Sequence, residues 1–569
     1  MAARVFAQDW VQALAKYMRL LTFALLSAGG ISAATCHKGH IARDYKMTEM
    51  SAPPRITGIG DSHLEITTKS EKAQAYFDQG FNLLHCFWDF EAYRAFEEAA
   101  RLDPNAAMAY WGIAEAVANY PAMEDMKKAA LEKAQALMEK ASDHEQFYIR
   151  AQQVQQDEDD GAKDYRAEME ALIDKYPDDI DAKLILAIHL DYGYAKKDGR
   201  PEDDAIYARM LVQDVLAGHP NNAAAHHYRI HILEASTHPQ DALTDADALA
   251  KLAPASGHMV HMPGHIYYRL GDYDRARQSF LDSMKVDSDY MQREKVSTLD
   301  DWNYAHNLSY LIASDAESGR LKEALDMATR LEKVPANPFL AKGTAIHAIT
   351  VGGTTARLNI RYGNWQAVLD HPIDLGLTPE DAGPAAVAYR EGILAYAKGM
   401  LALSRKDLDS ASRESDALDA ISWRLHAEGG MDHDPEHLLN LLEMLSLDLR
   451  GNLRSVQGKS EEAIALLEKA VDKEKDVGYG EPPQYGRPEL ESLGFTYLRA
   501  GKWAEARKAF QDEMITRPAS GHALYGIAQS YELAGDKKGA ARAYTEFLAA
   551  WKNADPDLPM MEHAKSASR

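Results

Sequence analysis

Two cysteines, Cys36 and Cys86, are the only thiols in 569 residues. A disulfide framework and a cysteine-built metal site are therefore excluded. An excess of positive charge is lacking too: 63 Lys and Arg stand against 87 Asp and Glu, a formal net charge of −24. Such a chain repels phosphate backbones, so nucleic acid is not expected as its main ligand. Beyond the N-terminal segment no stretch reaches the ~18 apolar residues of a membrane helix, and no membrane span is expected. The phosphate loop Gly-x4-Gly-Lys-Ser/Thr, the nucleophile elbow Gly-x-Ser-x-Gly and the zinc motif His-Glu-x-x-His are all missing. Gly58-Ile59-Gly60 lacks a third spaced glycine before a helix. What remains, 46% hydrophobic and 26% charged residues, is the composition of a folded globular chain. Its length calls for several domains or a repeat array.

From Met18 the chain reads MRLLTFALLSAGGISAATC. Arg19, with Lys16 upstream, precedes an apolar run from Leu20 to Ala28 and then the small residues Ser32, Ala33 and Ala34. This is the pattern of a secretory signal, with Met18 a candidate start, and the alternative is a short buried helix. Residues 1–35 are read as a signal peptide and 36–69, with Pro53-Pro54, as a linker. The expected location is exported, either periplasmic or lipid-anchored at Cys36, although Thr35 departs from a lipoprotein box. The acidic run Asp157–Asp160 reads as a solvated loop.

From residue 70 onward, helical periodicity is broken by short Gly, Pro and Asp turns. Tyr76, Gly80, Ala92, Phe96, Ala99 and Pro104 recur at a fixed spacing. So do Gly264, Tyr267, Gly271, Tyr273, Ala276 and Phe280, and again Gly494, Tyr497, Gly501, Trp503, Ala506, Phe510 and Pro518. The period is about 34 residues, and the pattern resembles the tetratricopeptide repeat family. Weaker copies begin near residues 107, 146, 180, 223, 305, 349, 392, 444 and 521. The resemblance implies an all-α, right-handed solenoid of about a dozen helix-turn-helix repeats. It spans residues 70–550 with a tail at 551–569. Each pair would bury its apolar faces only by stacking, with the first helices lining a concave groove.

In this family the second, fifth, ninth, twelfth and thirteenth residues of each first helix face the groove. Carried onto this register, His227, His231 and Glu234 take three such positions in one repeat. In the next, GHMVHMPGHIYYRLG, His258, His261, His265, Tyr268 and Arg269 take all five. His306 in WNYAHNLSYL falls near the second position of the following first helix.

Residues four apart on a helix lie about 5–6 Å from each other, and packed helices lie about 8–10 Å apart. Two adjacent His-x-x-x-His helices thus gather four imidazoles round one patch, enough to ligate a transition metal. Imidazole suits Zn, Cu, Fe or Ni, and without groove thiols nothing pulls toward Cu(I) or clusters. His227, His231, His258, His261, His265 and His306 are the candidate ligands, and Glu234 and Tyr268 the candidate proton handlers. His189, His226 and His347 are read as packing residues. The family's carboxylate clamp uses Lys, Arg and Asn where this chain has His. The box is similar to one in a group of bacterial tetratricopeptide-repeat proteins, which adds no reaction.

Pro263 either kinks the helix and re-aims His265 or serves, with Gly264, only to let helices pack closely. The loop EPPQYGRPE at 481–489 is either a lid or, as the preferred reading, an insertion without a task. Two functions follow. One is an exported solenoid with a His-rich metal centre, acting as a metal-dependent hydrolase or oxidase on a small molecule. The other is a non-catalytic scaffold holding a peptide or protein partner in its groove.

Overall fold

The computed structural model describes residues 52–568 apart from 121–122, 157–160, 191–192, 196–198, 336–347, 376–378, 429–434 and 484–485. The expected signal segment, Cys36, Asp157–Asp160 and His347 lie outside the described residues. Among the described residues the regular elements are helices, with a single isolated bridge between Tyr194 and Pro201. In chain order the first are α1 (Glu71–His85), α2 (Asp89–Leu102), α3 (Ala107–Ala116), α4 (Glu124–Leu137), α5 (Asp143–Val154), α6 (Gly161–Lys175), α7 (Ile180–His189) and α8 (Asp203–Gly218). The middle of the chain forms α9 (Ala223–Glu234), α10 (Leu243–Leu252), α11 (Gly257–Arg269), α12 (Tyr273–Glu294), α13 (Trp302–Glu317), α14 (Leu321–Leu331), α15 (Thr354–Arg361) and α16 (Trp365–Asp370). The last are α17 (Pro379–Ser404), α18 (Leu408–Glu428), α19 (Pro435–Val456), α20 (Ser460–Val477), α21 (Glu489–Arg499), α22 (Trp503–Thr516), α23 (Gly521–Leu533), α24 (Lys537–Ala550) and α25 (Pro559–Ala567).

The repeat spacing has a direct steric cause. A Cβ on Gly80 of α1 would lie 2.8 Å from the Phe96 ring of α2. Gly264 of α11 meets Phe280 of α12 at 2.4 Å, and Gly494 of α21 meets Phe510 of α22 at 2.6 Å. Each pair closes by seating a fully buried phenylalanine against a glycine. Side chains of Ser70, Asn222 and Ser256 accept backbone N–H groups at the starts of α1, α9 and α11, fixing where these helices begin. Pro263 lies inside α11, which runs on as one helix from Gly257 to Arg269.

Longer helices interrupt the rhythm. α17, which is broken at Gly383 (φ 78°), and α18 to α20 span 26, 21, 22 and 18 residues, so the copies expected near 392 and 444 begin inside α17 and α19 rather than at their starts.

The expected linker is not loose where the structure describes it. Residues 52–69 run as an extended arm that buries Ile59, Leu64 and Ile66. Side-chain amides replace a strand partner. Gln79 accepts Ile56 N–H at 3.0 Å, Asn82 accepts Ser62 N–H at 2.9 Å, and Asn82 donates to Ser62 O at 2.7 Å. The expected tail also packs. Trp551 is fully buried, α25 covers the last pair, and Asp555 N–H donates to Gly319 O at 2.9 Å.

Those last contacts close the molecule on itself. Trp551 Nε1–H donates to Glu317 O at 2.8 Å, and Tyr273 OH donates to Pro518 O at 2.9 Å. On the other side Trp302 Nε1–H donates to Phe87 O at 3.1 Å, and Tyr290 OH to Glu91 at 2.8 Å. The inner faces of α9, α11 and α13 are therefore covered from both directions, not left as an open groove.

Candidate metal centre

Asn222 and Ser256 cap α9 and α11 in the same way, so both helices start in register and raise their histidines to matching heights. His227, His231, His258, His261 and His265 are 0–3% exposed. His306, on α13, is half-buried. The structure brings all six together in two trios, His227/His231/His258 and His261/His265/His306. Within each trio the ligating atoms lie within 4.8 Å of one another.

Five of the rings are pinned from behind. His227 Nδ1 donates to His85 O at 2.7 Å, and His231 Nδ1 to Glu234 Oε1 at 2.9 Å. His265 Nδ1 donates to Glu234 Oε2, His261 Nδ1 to Asn307 Oδ1 at 2.5 Å, and His258 Nδ1 to Asn303 Oδ1 at 3.2 Å. The amide oxygens are left to accept because Asn303 and Asn307 give their Nδ2 hydrogens to Asp287 and Ser283. A neutral imidazole with hydrogen on Nδ1 carries a lone pair on Nε2. The inward Nε2 atoms meet each other: His227 and His231 at 3.1 Å, His261 and His265 at 2.7 Å. His258 Nε2 is buried without a hydrogen-bond partner.

Electrostatics keep four of these rings as bases. Burial, reinforced by the neighbouring histidines, holds His258, His261 and His306 well below the usual histidine range. His265 is also lowered by burial, against the pull of Glu234. Burial alone would raise the Glu234 carboxyl, but His265 and His231 outweigh it and hold the group ionised. Two neutral lone pairs at 2.7 Å repel unless a cation lies between them. Tetrahedral zinc with bonds of about 2.0–2.1 Å sets its nitrogens about 3.3 Å apart, a small opening from what is observed.

Glu234 and Tyr268 sit differently from the proton-handling positions expected of them. Glu234 is behind the imidazoles, one oxygen on each trio, because two Nδ1–H donors need an anionic acceptor there. The Tyr268 ring lies edge-on to Tyr310, centroids 5.7 Å apart, and it is Tyr310 that packs, tilted, against His265, centroids 4.2 Å apart. Burial pushes the Tyr268 hydroxyl up to about 12. His226 has both nitrogens bonded, to Asp245 and Pro220 O, as befits a packing residue. His189 likewise bonds Ile185 O at 2.8 Å.

Residues 493–555, which run from within α21 to just past α24, match the tetratricopeptide repeat family. This segment of the chain carries tetratricopeptide repeats. No curated protein sequence matches the chain. Similar solved structures include a tetratricopeptide repeat protein from Parabacteroides merdae, at 13% identity over 55% of this chain and 98% of that one, with a TM-score of 0.27. Yeast Tom70 gives 13% identity, 88% and 96% coverage and a TM-score of 0.30. A human IFIT1 dimer with PPP-AAAA gives 11%, 92% and 100%, and 0.37.

Three elements of the centre escape the repeat register. The α1–α2 turn places Phe87, at φ 54°, against the first trio, 4.5 Å from His227, 5.2 Å from His231 and 5.5 Å from His258. A non-glycine residue in that conformation costs about 1–2 kcal/mol. Asn303 and Asn307, one turn apart on α13 either side of His306, supply the amide oxygens. The loop after α20, preferred above as a taskless insertion, reaches the centre instead. Tyr479 OH donates to Glu234 at 3.3 Å, and Glu481 joins Glu234 and His265 in a third cluster within 4.8 Å. The Asn-x-x-His-Asn pattern was a readable signal; Phe87 and Glu481 left none, since only closure of the solenoid delivers them. Among the described residues no helix is long and apolar enough to cross a membrane.

Proposed function

We propose that this solenoid holds a two-ion transition-metal centre of Zn, Cu or Fe and acts on a small molecule as a metal-dependent hydrolase or oxidase. The observation that carries this reading is the pair of Nε2–Nε2 contacts between rings whose other nitrogens are already committed. Imidazoles oriented from behind by a carboxylate, amides and a carbonyl form the second shell that fixes metal-ligand tautomers. Three nitrogens per ion leave a position for water or substrate, where a metal activates water or O2. Phe87 shields the first trio. The second, with half-buried His306, Tyr310 and the nearby Glu481, is the better candidate for chemistry, and Tyr479 and Glu481 take the proton-handling role expected of Tyr268. The N-terminal reading places this activity outside the cytoplasm, checked by cell fractionation.

The test is elemental analysis of protein purified without chelator, beside a His261→Ala/His265→Ala variant. Metal near stoichiometry in the parent and reduced in the variant is expected. Equal trace amounts in both would remove the centre and leave the second reading, a scaffold for a peptide or protein partner. The tetratricopeptide fold supports such interaction scaffolds in general. Here the inner face is covered at the histidines, so a partner would dock elsewhere on the solenoid.

A further inference from the structure

Two of the histidines take their orientation from α12. Glu234 accepts the Nδ1–H of His231 and of His265, one ring from each trio. His258 and His261, again one from each trio, give theirs to the amide oxygens of Asn303 and Asn307. Behind both amides stand Ser283 and Asp287, one turn apart on α12. Asn303 Nδ2 donates to Ser283 Oγ at 3.1 Å and to Asp287 Oδ2 at 2.9 Å. Asn307 Nδ2 donates to the same two atoms, at 2.7 Å each. All four amide hydrogens thus end on two oxygens.

The direction of these bonds is not free. An amide can present either its oxygen or its N–H₂ group to a ring nitrogen. Ser283 decides which. Its own hydroxyl hydrogen goes to Gly257 O at 2.6 Å, and a carbonyl only accepts. Toward the asparagines Ser283 Oγ is therefore an acceptor, so their nitrogens face α12 and their oxygens face the rings. A ring nitrogen opposite an amide oxygen carries the hydrogen, which leaves the lone pair of His258 and of His261 on Nε2, inside the centre. Gly257, the first residue of α11, makes the room. A Cβ there would stand 1.6 Å from Asp287 Oδ1 and 3.0 Å from Asn303 Nδ2. The glycine that opens GHMVHMPGHIYYRLG thus has a task outside the repeat register. Ser283, Asp287, Asn303 and Asn307 are all buried, so water does not readily replace a partner that is removed.

We infer that Ser283 and Asp287 are positioning residues of the metal centre, fixing through Asn303 and Asn307 the ligating tautomer of one histidine in each trio. Their role toward a metal rests on the centre proposed above; the tautomers themselves do not. The centre then has two anchors, each serving both trios: Glu234 by direct contact and α12 at one remove. Without the two α12 oxygens nothing holds the amides in this sense. An amide that turns presents N–H₂ to the ring, so Nδ1 accepts and the hydrogen moves to Nε2. That ring then leaves the ligand set.

Metal-free full chain carrying isotope-labelled histidine tests this. Proton–nitrogen correlation spectra show which ring nitrogen bears hydrogen, and His258→Gln and His261→Gln identify the two rings. Both rings are expected to carry Nδ1–H in the parent. Ser283→Ala/Asp287→Leu is expected to show Nε2–H on one or both. In a chelator competition it should bind Zn about tenfold more weakly or worse, the usual effect of losing an orienting partner. Asp287→Asn still offers one oxygen to both amides and is expected to keep the parent's tautomers and affinity. Ser283→Ala alone removes a single oxygen and should move in the same direction as the pair, which covers a double variant that fails to fold. Nε2–H on either ring in the unaltered parent overturns the inference whether or not any variant folds. Nδ1–H retained in the double variant overturns it too, and Zn still bound by the parent then keeps the centre. Tautomers that shift as expected in a chain that binds no Zn overturn the metal centre and leave the control of the tautomers standing.

Discussion

Nε2 of His261 lies 2.7 Å from Nε2 of His265, while Nδ1 of each ring donates to a fixed acceptor. The same relation holds between His227 and His231 at 3.1 Å. If each pair anchors its own ion, the two should be separable. Protein loaded with Zn and freed of excess is expected to carry two ions per chain. His227→Ala/His231→Ala and His261→Ala/His265→Ala should each lose about one, read by elemental analysis. Loss of both ions in either variant would argue for one shared ion, and retention of both would refute the assignment.

Glu234 couples the trios, since Oε1 accepts from His231 and Oε2 from His265. In Glu234→Gln one of those positions becomes an amide N–H₂ facing an N–H. The ring there must turn or exchange its tautomer, and its Nε2 then no longer offers a lone pair. Such orienting partners typically contribute 10–100-fold in metal affinity. A chelator competition should therefore show the Gln variant binding Zn ten to a hundred times more weakly, with unchanged helical content by circular dichroism. An unchanged affinity would show that Glu234 is only a structural acceptor.

The parts of this centre legible in the sequence are those that obey a period. Gly264 opposite Phe280 and the His-x-x-x-His pairs one repeat apart both follow from the helix turn and the repeat length, so their proximity was readable before any coordinates. The arm at 52–69 was not, because its partners are the amides of Gln79 and Asn82 and not a strand with its own alternation. Phe87 and Glu481 enter through closure, a property of the summed twist of many repeats that no single repeat encodes. The burial of the centre was missed for the same reason: an open groove and a closed one share one local pattern.

His522 gives a pH dependence separate from the metal ligands. It is 5% exposed, packs against Tyr362 and Trp551, and neither ring nitrogen has a hydrogen-bond partner. Burial, with Arg361 and other arginines adding to it, holds its pKa well below the usual value. The unfolded chain takes up a proton as the pH falls through about 6.5, and the folded chain does not until much lower. Stability is thus unaffected by this group above about pH 6.5 and falls by about 1.4 kcal/mol per unit below it. His522→Phe removes that loss. At pH 5 the variant should gain about 2 kcal/mol on the parent relative to their difference at pH 7.5, measured by urea unfolding of metal-free protein. A pH-independent difference would mean that His522 titrates normally in the folded chain.

Trp551 decides whether the C-terminal segment is tail or keystone. Its ring is fully buried beside Phe547, His522 and Tyr362, and Nε1–H donates to Glu317 O at 2.8 Å. A Cβ on Gly521 would overlap the indole, and one on Gly319 would approach within 2.8 Å of it, so both neighbours have yielded their side chains to this ring. Trp551→Ala leaves a cavity between α23, α24 and the end of α13 and strands the Glu317 carbonyl. Truncating a buried tryptophan costs about 3–5 kcal/mol. The urea midpoint should fall accordingly, and deletion of residues 551–569 should cost at least as much, because it also strips α25 and the Asp555–Gly319 bond. Limited proteolysis of either variant should then open the chain first at the turn after α13, where the closing contacts lie. Unchanged midpoints in both would return residues 551–569 to the status of a tail and show that the solenoid stays closed through α21 to α23 alone.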